Sequence, residues 1–403
     1  MNRTFWIIAL ISFINSLSLT ILIPVIYLYG KQYQLSDFDT SLLFATYSIA
    51  QFFATPVIGK LSDRFGRKPL LIVSLFGTVV ANAIAGFAPN AAILFMARFL
   101  DGITGGNNSV AQAVMSDVTT PANRTRAFGI NGAAFGLGFV LGPAVSLLAQ
   151  KISLGASFVV SGMVAAIALL LTIFYLPETL EQKPEQLSFR GAKAIDIFDL
   201  GLDSLIKGLA IPKIGILLIV NFLIGTTFTI FTFAFQPYFL NVLGQNNEAL
   251  TMMFFIFGVL GVIMQTAGIP ALNRRLNVTQ ILFMGLLIRS TTFVLMPVWQ
   301  NIVYFVAVSI VFSLFNSLVQ PAVNALISLN AKPEEQGIAL GLNSSYLSIS
   351  NAIGPVIAGA LIDKNRPITY SYSLYLAGGL TFLVLLLAIF TRRQYAIADR
   401  SNN

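Results

Sequence analysis

The chain alternates between long apolar runs and short polar connections. Each run can cross about 30 Å of hydrocarbon as a helix, since roughly 20 apolar residues suffice. None shows the residue-by-residue alternation of a membrane β-barrel strand. The pattern predicts an all-α membrane protein with twelve transmembrane helices. The predicted spans cover residues 4–27, 38–59, 69–88, 91–117, 126–149, 154–176, 213–238, 247–272, 279–297, 301–329, 337–360 and 370–391.

The basic residues concentrate in alternate connections. If both termini are cytoplasmic, the inner segments hold 18 of the 24 Lys and Arg residues, the outer connections hold four, and the spans hold two. Positive residues are enriched on the cytoplasmic side of membrane proteins. The distribution therefore predicts a multi-pass protein with both termini in the cytoplasm.

Composition narrows the possible functions. Apolar residues make up 56% of the chain and charged residues 10%, against about 25% charged in soluble domains. The sequence has no His and no Cys, which removes the imidazole base, the thiol nucleophile, the disulfide and the common metal-ligand spacings. The net charge of +8 follows membrane topology. We expect no enzyme activity, no cofactor, no metal and no nucleic-acid partner.

Two halves, 1–177 and 212–403, flank a polar segment at 178–211. A shift of 212 residues superimposes Pro121, Gly129, Asn131, Gly142 and Pro143 on Pro333, Gly341, Asn343, Gly354 and Pro355. Such a repeat is typical of secondary transporters built from two parallel six-helix halves. In the central segment, apolar residues recur at helical spacing between 195 and 209, which predicts an amphipathic helix on the inner membrane surface. A simple linker is the alternative.

A charged segment connects the second and third predicted spans. It reads Gly59-Lys60-Leu61-Ser62-Asp63-Arg64-Phe65-Gly66-Arg67-Lys68, and its glycines permit a tight loop. Asp63 fits a helix N-terminus, where the helix dipole favours an anion, and Arg67 can reach Asp117 at the inner end of span four. Such a latch holds in one conformation and breaks in another. A basic loop that only sets topology is the alternative.

This segment resembles the signature of the major facilitator superfamily. The stretch Gly136–Pro143 resembles the antiporter motif of its drug:proton antiporters, and Arg98 with Gly102 matches the span-four motif. Further stretches are similar to the tetracycline-resistance efflux proteins: Gly102–Gly106, Ser116–Thr119, Arg124–Gly129, Glu335–Leu342 and Gly354–Pro355.

The resemblance implies two pseudo-symmetric six-helix bundles around a cavity that opens alternately to each membrane face. It also implies proton-driven drug export and antibiotic resistance, by a monomer in the inner membrane of a bacterial cell. The implied inner-face gate comprises Gly59, Asp63, Arg64, Gly66, Arg67 and Asp117, and the antiporter motif comprises Gly138, Gly142 and Pro143.

Three ionisable residues lie deep in the predicted spans. Each charge there costs about 2.5–3.5 kcal/mol on insertion scales, so each is a candidate functional group. Arg98 and Asp101 are three residues apart, on one helix face, and Arg289 lies in span nine. Burial disfavours the Asp101 carboxylate and Arg98 favours it. Asp101 is therefore the candidate proton carrier and Arg98 its modulator, with a static ion pair as the alternative.

The chain departs from the tetracycline exporters at two positions. Those proteins carry an acid nine residues before the proline of span one, where this chain has Asn15 before Pro24. They also carry an acid in span nine, where this chain has Arg289. The resemblance does not extend to these two acids, which are tied to coupling or substrate handling.

In the superfamily that this chain resembles, spans one, four, seven and ten usually face the centre. Their polar residues, together with others from spans five, nine and eleven, define a candidate substrate cavity. They are Asn15, Asn108, Gln112, Asn131, Thr227, Arg289, Asn316, Gln320, Asn343 and Tyr346. Amides in hydrocarbon face protein or water, so helix-to-helix contact is the alternative role for each. The 34 Phe residues suit a bulky amphipathic solute.

We therefore expect a transporter in the lipid bilayer that exports an amphipathic small molecule in exchange for protons. A lipid or lysolipid flippase and a sugar exporter are alternatives on the same fold. A non-transporting membrane sensor and a membrane-embedded enzyme are alternatives from other classes.

Overall fold

The structure is a computed structural model that describes residues 3–119, 121–180, 208–331 and 336–395 of the chain. Every regular element in those ranges is a helix, and they contain no strand. Ten of the helical stretches there are long and apolar enough to cross a membrane. The prediction of an all-α membrane protein is confirmed, and the count of twelve spans stays a prediction.

The chain forms two compact units. One contains Met1–Gln34 with Thr46–Gly201, and the other contains Leu35–Ala45 with Leu202–Asn403. Most of the segment that joins the halves lies outside the described residues. The division into 1–177, 178–211 and 212–403 therefore stays a prediction, and the helix predicted between 195 and 209 falls largely outside the described ranges.

The helices of the first half pack around a core that α1 and α4 share with their neighbours. They are α1 (Arg3–Leu22), α2 (Ile26–Gln32), α3 (Asp37–Phe65), α4 (Arg67–Gly86), α5 (Ala91–Thr104), α6 (Asn107–Asp117), α7 (Pro121–Gln150) and α8 (Leu154–Tyr175). α1 packs on α7 and α8, and α4 packs on α5 and α8. Buried apolar side chains such as Phe5, Leu75 and Val114 hold α1, α4 and α6 together.

The second half repeats this arrangement around one central helix. Its helices are α9 (Ile214–Pro237), α10 (Asn247–Ile263), α11 (Ile269–Leu272), α12 (Val278–Leu295), α13 (Ile302–Asn330), α14 (Gln336–Ala360) and α15 (Thr369–Tyr395). π-helical turns at Tyr238–Val242 and Met264–Gly268 extend α9 and α10. α9 packs on α14 and α15, and α12 packs on α13 and α15.

Several helices begin at a polar side chain that caps the first free backbone N–H groups. The capping residues are Asn90 for α5, Ser153 for α8, Asn246 for α10, Asn277 for α12 and Asn301 for α13. Each side chain accepts from the backbone N–H three residues later, which is worth about 1 kcal/mol. These caps explain why the predicted and observed helix starts agree closely.

The charged segment at 59–68 is not the loop that the sequence predicts. α3 continues to Phe65 and α4 begins at Arg67, so Gly66 makes the turn. Its φ of 104° is open to glycine because glycine has no Cβ. As a result Asp63 lies in the last turn of α3 and not at a helix N-terminus.

Two predicted spans are broken. The predicted span 91–117 divides into α5 and α6 at Gly105 and Gly106, where the Gly105 N–H bonds to the Gly102 carbonyl at 3.0 Å. Two adjacent glycines weaken the helix here, since each costs about 1 kcal/mol relative to alanine. The predicted span 4–27 likewise ends at Leu22, beside Pro24, because proline cannot continue the helical hydrogen bonding.

The internal repeat appears as the same hydrogen bond in each unit. The Thr20 hydroxyl of α1 donates to the Gly138 carbonyl of α7 at 2.6 Å. The Thr229 hydroxyl of α9 donates to the Ser350 carbonyl of α14 at 2.9 Å. Gly138 and Ser350 are related by the same 212-residue shift that relates the two Gly-Pro pairs.

The glycine of each Gly-Pro pair lies where the two helices touch. A Cβ at Gly142 would lie 2.7 Å from the carbonyl carbon of Thr20, and a Cβ at Gly354 would lie 2.9 Å from the backbone nitrogen of Ile230. Both distances are shorter than ordinary van der Waals contact, so only glycine permits this approach of the backbones.

Replacing Gly142 with alanine is expected to destabilise the first unit. The added Cβ meets backbone atoms of Thr20 and Ile21, and overpacking of this kind costs about 1–3 kcal/mol. The gain in helix propensity offsets at most about 1 kcal/mol. We expect a lower thermal unfolding midpoint for the purified Gly142→Ala variant in detergent.

Gly132→Ala on the same helix is the matched control, because a Cβ at Gly132 meets nothing within 4 Å. Its unfolding midpoint should equal or exceed that of the unmodified protein. If both alanine variants unfold at the same temperature, close packing at Gly142 is not what stabilises this helix pair.

Candidate functional site

A buried ion pair lies in the first unit. Arg98 and Asp101 are both on α5, and Arg98 Nη1 donates to Asp101 Oδ2 at 2.9 Å. Their side chains are 4% and 8% exposed. The Thr78 hydroxyl of α4 also hydrogen-bonds to Asp101. A lone charge at this depth is costly. Pairing lowers the free-energy cost of placing each of these two charges inside the membrane.

α3 supplies a further partner for Arg98. The guanidinium lies over the ring of Tyr47, 4.3 Å from its centre. Gln51, one turn later, donates to the Tyr47 hydroxyl at 2.9 Å and to the Gly105 carbonyl at 3.0 Å. The sequence analysis does not select Tyr47 or Gln51, although their four-residue spacing places both on one face of α3.

A cavity of about 70 Å³ adjoins the ion pair. Asp101, Tyr47 and Asn15 are among the residues that line it, with hydroxyl and amide side chains from α1, α4, α6 and α8. The hydroxyl of Ser16 is buried and has no hydrogen-bond partner among the described residues. A space of this size holds several water molecules but is far smaller than the usual drug-binding pocket of 300–1,000 Å³.

Two predicted substrate residues lie at this cavity. Asn107 donates to the side-chain oxygen of Asn15 at 2.9 Å, which ties α6 to α1. Asn108, the next residue, also lines the cavity. Gln112, one turn further along α6, is half-buried. The sequence leaves open whether Asn15 lines a cavity or joins helices. In the structure it does both, since it bonds α1 to α6 and borders the cavity.

Arg67 is the centre of a second charged cluster, at the α3–α4 turn. Its guanidinium contacts Asp63 at 2.5 Å and Asp117 at 3.0 Å, and donates to the Ser62 hydroxyl at 2.7 Å. The Arg67 side chain is 10% exposed, whereas that of Asp63 is 62% exposed. The cluster connects α3 and α4 to the end of α6. Arg64 points elsewhere, with its guanidinium 5.9 Å from the ring centre of Phe65.

Glu178 joins this cluster from beyond the end of α8. Its carboxylate accepts from the backbone N–H groups of Arg67 at 2.9 Å, Lys68 at 3.1 Å, Thr179 at 2.9 Å and Leu180 at 3.0 Å. Partial burial raises the pKa of Glu178, but the four backbone donors outweigh it and hold the pKa below its ordinary value of 4.5. The carboxylate also suits the positive end of the α4 dipole.

The sequence analysis assigns Glu178 to the central polar segment and gives it no role. One signal in the sequence could have indicated a role for Glu178. It is an acid at the inner end of a span, on the same membrane face as the basic segment. Spacing along the chain could not connect it to Arg67, because the two residues are 111 positions apart.

The second unit buries Arg289 without an acid. Its side chain is 1% exposed, and Nη2 donates to the Ile224 carbonyl and the Thr227 hydroxyl, both at 2.8 Å. The rings of Phe293 and Phe228 lie 5.3 and 5.5 Å from the guanidinium. Among the residues that the structure describes, no carboxylate pairs with it. Thr227 thus accepts a hydrogen bond from Arg289, and its role in a substrate cavity stays a prediction.

Four amides form a chain of hydrogen bonds in the second unit. Gln320 donates to Asn324 at 3.1 Å, Asn343 donates to Asn324 at 3.1 Å, and Asn221 donates to Asn343 at 2.5 Å. The chain joins α13, α14 and α9. The two bonds of Asn343 join different helices, which is the role that the sequence leaves open for it, whereas the bond of Gln320 lies within α13.

The role of Tyr346, Asn316 and Asn131 in a substrate cavity stays a prediction. Tyr346 packs edge-on against Phe222, with ring centres 6.3 Å apart, and Asn316 is half-buried on α13. The side chain of Asn131 lies outside the described residues. Gly138, Gly142 and Pro143 lie on α7, where the two glycines contact α1 and do not line the cavity.

Many phenylalanines of the second unit are packed core. The ring centres of Phe231, Phe293 and Phe312 lie 4.4–5.1 Å apart, and Phe235 lies 5.5 Å from Phe231. All four are at most 2% exposed. Such contacts stabilise a core by about 0.5–1.5 kcal/mol per pair beyond burial. The Phe-rich substrate wall therefore stays a prediction that concerns other rings.

Membrane-spanning helices that enclose an ion pair beside a polar cavity place this chain, by class, among membrane transporters. The family model of the Major Facilitator Superfamily matches residues 8–277 and 217–402. The chain belongs to the Major Facilitator Superfamily, and the family resemblance is confirmed.

Curated relatives are bacterial resistance proteins that match most of the chain. Tetracycline resistance protein, class H, from Pasteurella multocida is 26% identical over 98% of this chain and 97% of its own length. The class C protein from Escherichia coli is 26% identical over 86% of both. Multidrug resistance protein 2 from Bacillus subtilis is 26% identical over 90% of both.

Solved structures share the fold at low sequence identity. The human organic anion transporter TETRAN superimposes with a TM-score of 0.72 at 20% identity, covering 96% of this chain and all of that one (100%). A peptide transporter, POT, in complex with sulfate gives a TM-score of 0.75 at 14% identity, covering 99% of this chain and 96% of that one. At this identity the likeness establishes the major facilitator fold alone.

Replacing Glu178 with glutamine is expected to lower stability in a pH-dependent way. The folded pKa lies below the unfolded one, so the carboxylate contributes stability that is present above about pH 5 and is lost as the pH falls through the folded pKa. Thermal unfolding of the original protein and of Glu178→Gln should differ at neutral pH. The difference should shrink below pH 4.5, the ordinary value for this group.

Glu248→Gln provides the comparison, because Glu248 is an exposed acid in the first turn of α10. Its effect should be smaller at every pH. A Glu178→Gln effect that is constant from about pH 3 to about pH 8 would show that the carboxylate charge does not matter.

Proposed function

We propose that this transporter exports an amphipathic small molecule in exchange for protons, by alternating access. The observation that carries the proposal is the buried Arg98–Asp101 pair at the edge of a polar cavity. The named relatives support the substrate class, because they are tetracycline and multidrug resistance proteins.

Asp101 is the proposed proton carrier. A carboxylate that is paired with one arginine and also borders a space for water can take up a proton without leaving its place in the fold. Burial favours the neutral form and Arg98 favours the charged form. Because these two influences oppose each other, a change in water access can shift the equilibrium between the protonated and the charged form of Asp101. Arg98 modulates the acid and does not bind the substrate.

The Arg67 cluster is the proposed inner-face latch. Its contact to Asp117 is charge-assisted and partly buried, and a hydrogen bond of that kind contributes about 1.5–3 kcal/mol. Its contact to the exposed Asp63 adds at most about 1 kcal/mol, because solvent screens it. A cluster of this strength holds one conformation and can still be broken by binding energy. Glu178 extends it by fixing the start of α4.

The bacterial relatives and the distribution of charge support a proposal for the cellular setting. We place the protein in the inner (cytoplasmic) membrane of a bacterial cell, as a multi-pass monomer with both termini in the cytoplasm. Its partners are the lipid bilayer, protons and an amphipathic small molecule. It requires no cofactor and catalyses no chemical reaction.

Lysolipids and sugars remain the alternative substrates on this fold. A proteoliposome screen with an imposed pH gradient separates the three substrate classes when dyes, antibiotics, lysolipids and sugars are assayed in parallel. A membrane sensor would move none of them.

The Asp101→Asn variant is expected to lose uphill, gradient-driven transport while still inserting and folding. Asparagine keeps the size and the contact with Arg98 but cannot exchange a proton at physiological pH. Transport is measured in proteoliposomes under an imposed pH gradient. Asp363→Asn, an exposed acid between α14 and α15, is the control and should transport normally. Undiminished uphill transport by Asp101→Asn would eliminate this residue as the carrier.

Breaking the latch is expected to favour the inward-open conformation. The chain has no cysteine, so Asn108→Cys gives a single label site at the cavity. In that background, Arg67→Ala and Asp117→Asn should each speed labelling from the inner face by roughly tenfold, the equivalent of about 1.4 kcal/mol. The labelling rate is measured with a water-soluble maleimide.

Lys68→Ala is the matched control for charge, because it removes a positive side chain next to Arg67 and leaves the backbone contact to Glu178. It should not change the labelling rate. Equal rates for all variants would mean that the Arg67 cluster only sets topology.

A further inference from the structure

Arg98 has two partners, and they respond differently to a proton on Asp101. We propose that Tyr47 is a positioning residue for proton coupling: its ring holds the Arg98 guanidinium in place while Asp101 is protonated. The inference rests on the proposed function, since it assigns a role at the same site.

The fold places the Tyr47 ring firmly. α3 and α5 pack closely at Gly102, where a Cβ would lie 2.5 Å from the Tyr47 carbonyl oxygen and 2.6 Å from Ala50 Cβ. Gln51 then bridges the Tyr47 hydroxyl and the Gly105 carbonyl. The ring is thus fixed both along its own helix and to the end of α5, beside the guanidinium that it supports.

The electrostatics of the ring distinguish the two states of the acid. The face of an aromatic ring attracts a cation and repels an anion. When Asp101 is charged, its hydrogen bond to Arg98 neutralises part of the positive charge that the ring attracts. When Asp101 is protonated, this neutralisation ends and the ring attracts the full charge of the guanidinium. Tyr47 therefore favours the protonated state.

Few other charges act on this site. Within the described part of the chain, Arg98 faces Asp101 from its own helix, Tyr47 lies beyond Arg98 on α3, and Thr78 contacts Asp101 from α4. The other residues around the adjoining cavity are uncharged. Arg98 Nε is buried without a hydrogen-bond partner among the described residues, so losing the carboxylate would leave the ring as its main support.

The consequence for transport is that protonation need not displace the arginine. Without the ring, a guanidinium that loses its carboxylate partner would have to move toward water or another acid, and α5 would have to move with it. The Tyr47 ring keeps the positive charge beside the acid, so that the same ion pair re-forms when the proton leaves.

Two substitutions at one position separate the ring from its hydroxyl. Tyr47→Leu removes the aromatic face, and Tyr47→Phe keeps the face but removes the hydrogen bond from Gln51. We expect Tyr47→Leu to move proton uptake by Asp101 to a more acidic pH by roughly one unit, and Tyr47→Phe to leave it unchanged.

The primary measurement does not require transport. The infrared carbonyl absorption of the protonated acid, obtained as a difference from Asp101→Asn, is followed across pH in the purified full-length protein. The pH profile of gradient-driven transport is measured in the same variants. Membrane insertion and unfolding midpoints identify a variant that fails to fold, and Tyr47→Met then replaces Tyr47→Leu.

An unshifted infrared titration in Tyr47→Leu overturns the inference, and so does an equal shift in Tyr47→Phe, which would assign the effect to the hydroxyl. If the unmodified protein shows no gradient-driven transport but Tyr47→Leu still shifts the titration, the proposed function fails and the role of Tyr47 stands.

Discussion

A charge inside the membrane must be compensated by groups within a few ångströms, because no solvent there can do it. Arg98 and Asp101 meet this requirement on adjacent turns of one short helix, 2.9 Å apart. Much of the first unit is arranged around them. Gly102 admits α3, Tyr47 supplies an aromatic face, and α1, α4, α6 and α8 line the cavity beside the acid. These groups together compensate the two buried charges and leave the acid beside a polar cavity.

The second unit compensates its buried cation in another way. Arg289 is held by a carbonyl, a hydroxyl and two phenylalanine rings. None of these groups can take up a proton in the physiological range. Arg289 thus joins α12 to α9, and the amide chain of the same unit joins two more helix pairs, α13 with α14 and α14 with α9. The first unit thus pairs its buried arginine with an acid, whereas the second surrounds its buried arginine with neutral groups.

The two units share a scaffold even though their chemistry differs. In the first unit a threonine of α1 donates to a carbonyl of α7, and in the second a threonine of α9 donates to a carbonyl of α14. In both, a glycine four residues after that carbonyl touches the backbone of the other helix. Close backbone packing is a common way to join membrane helices, because apolar side chains gain little by leaving lipid. The two units therefore share this packing contact, and they differ in their buried polar groups, which form an ion pair in one unit and an amide chain in the other.

The pattern of apolar runs, the basic connections and the Gly-Pro repeat determined the helical membrane fold and its two halves, because these signals depend only on local sequence and on the lipid environment. The three-residue spacing likewise placed Arg98 and Asp101 together. Tertiary structure alone brought Tyr47 to Arg98, Glu178 to the backbone of Arg67, and Thr227 to Arg289. Each of these contacts joins segments that are far apart in the sequence. Which residues meet depends on how each helix is rotated and how deep it lies. Close packing at glycines such as Gly102 sets both, and spacing along the chain does not reveal them.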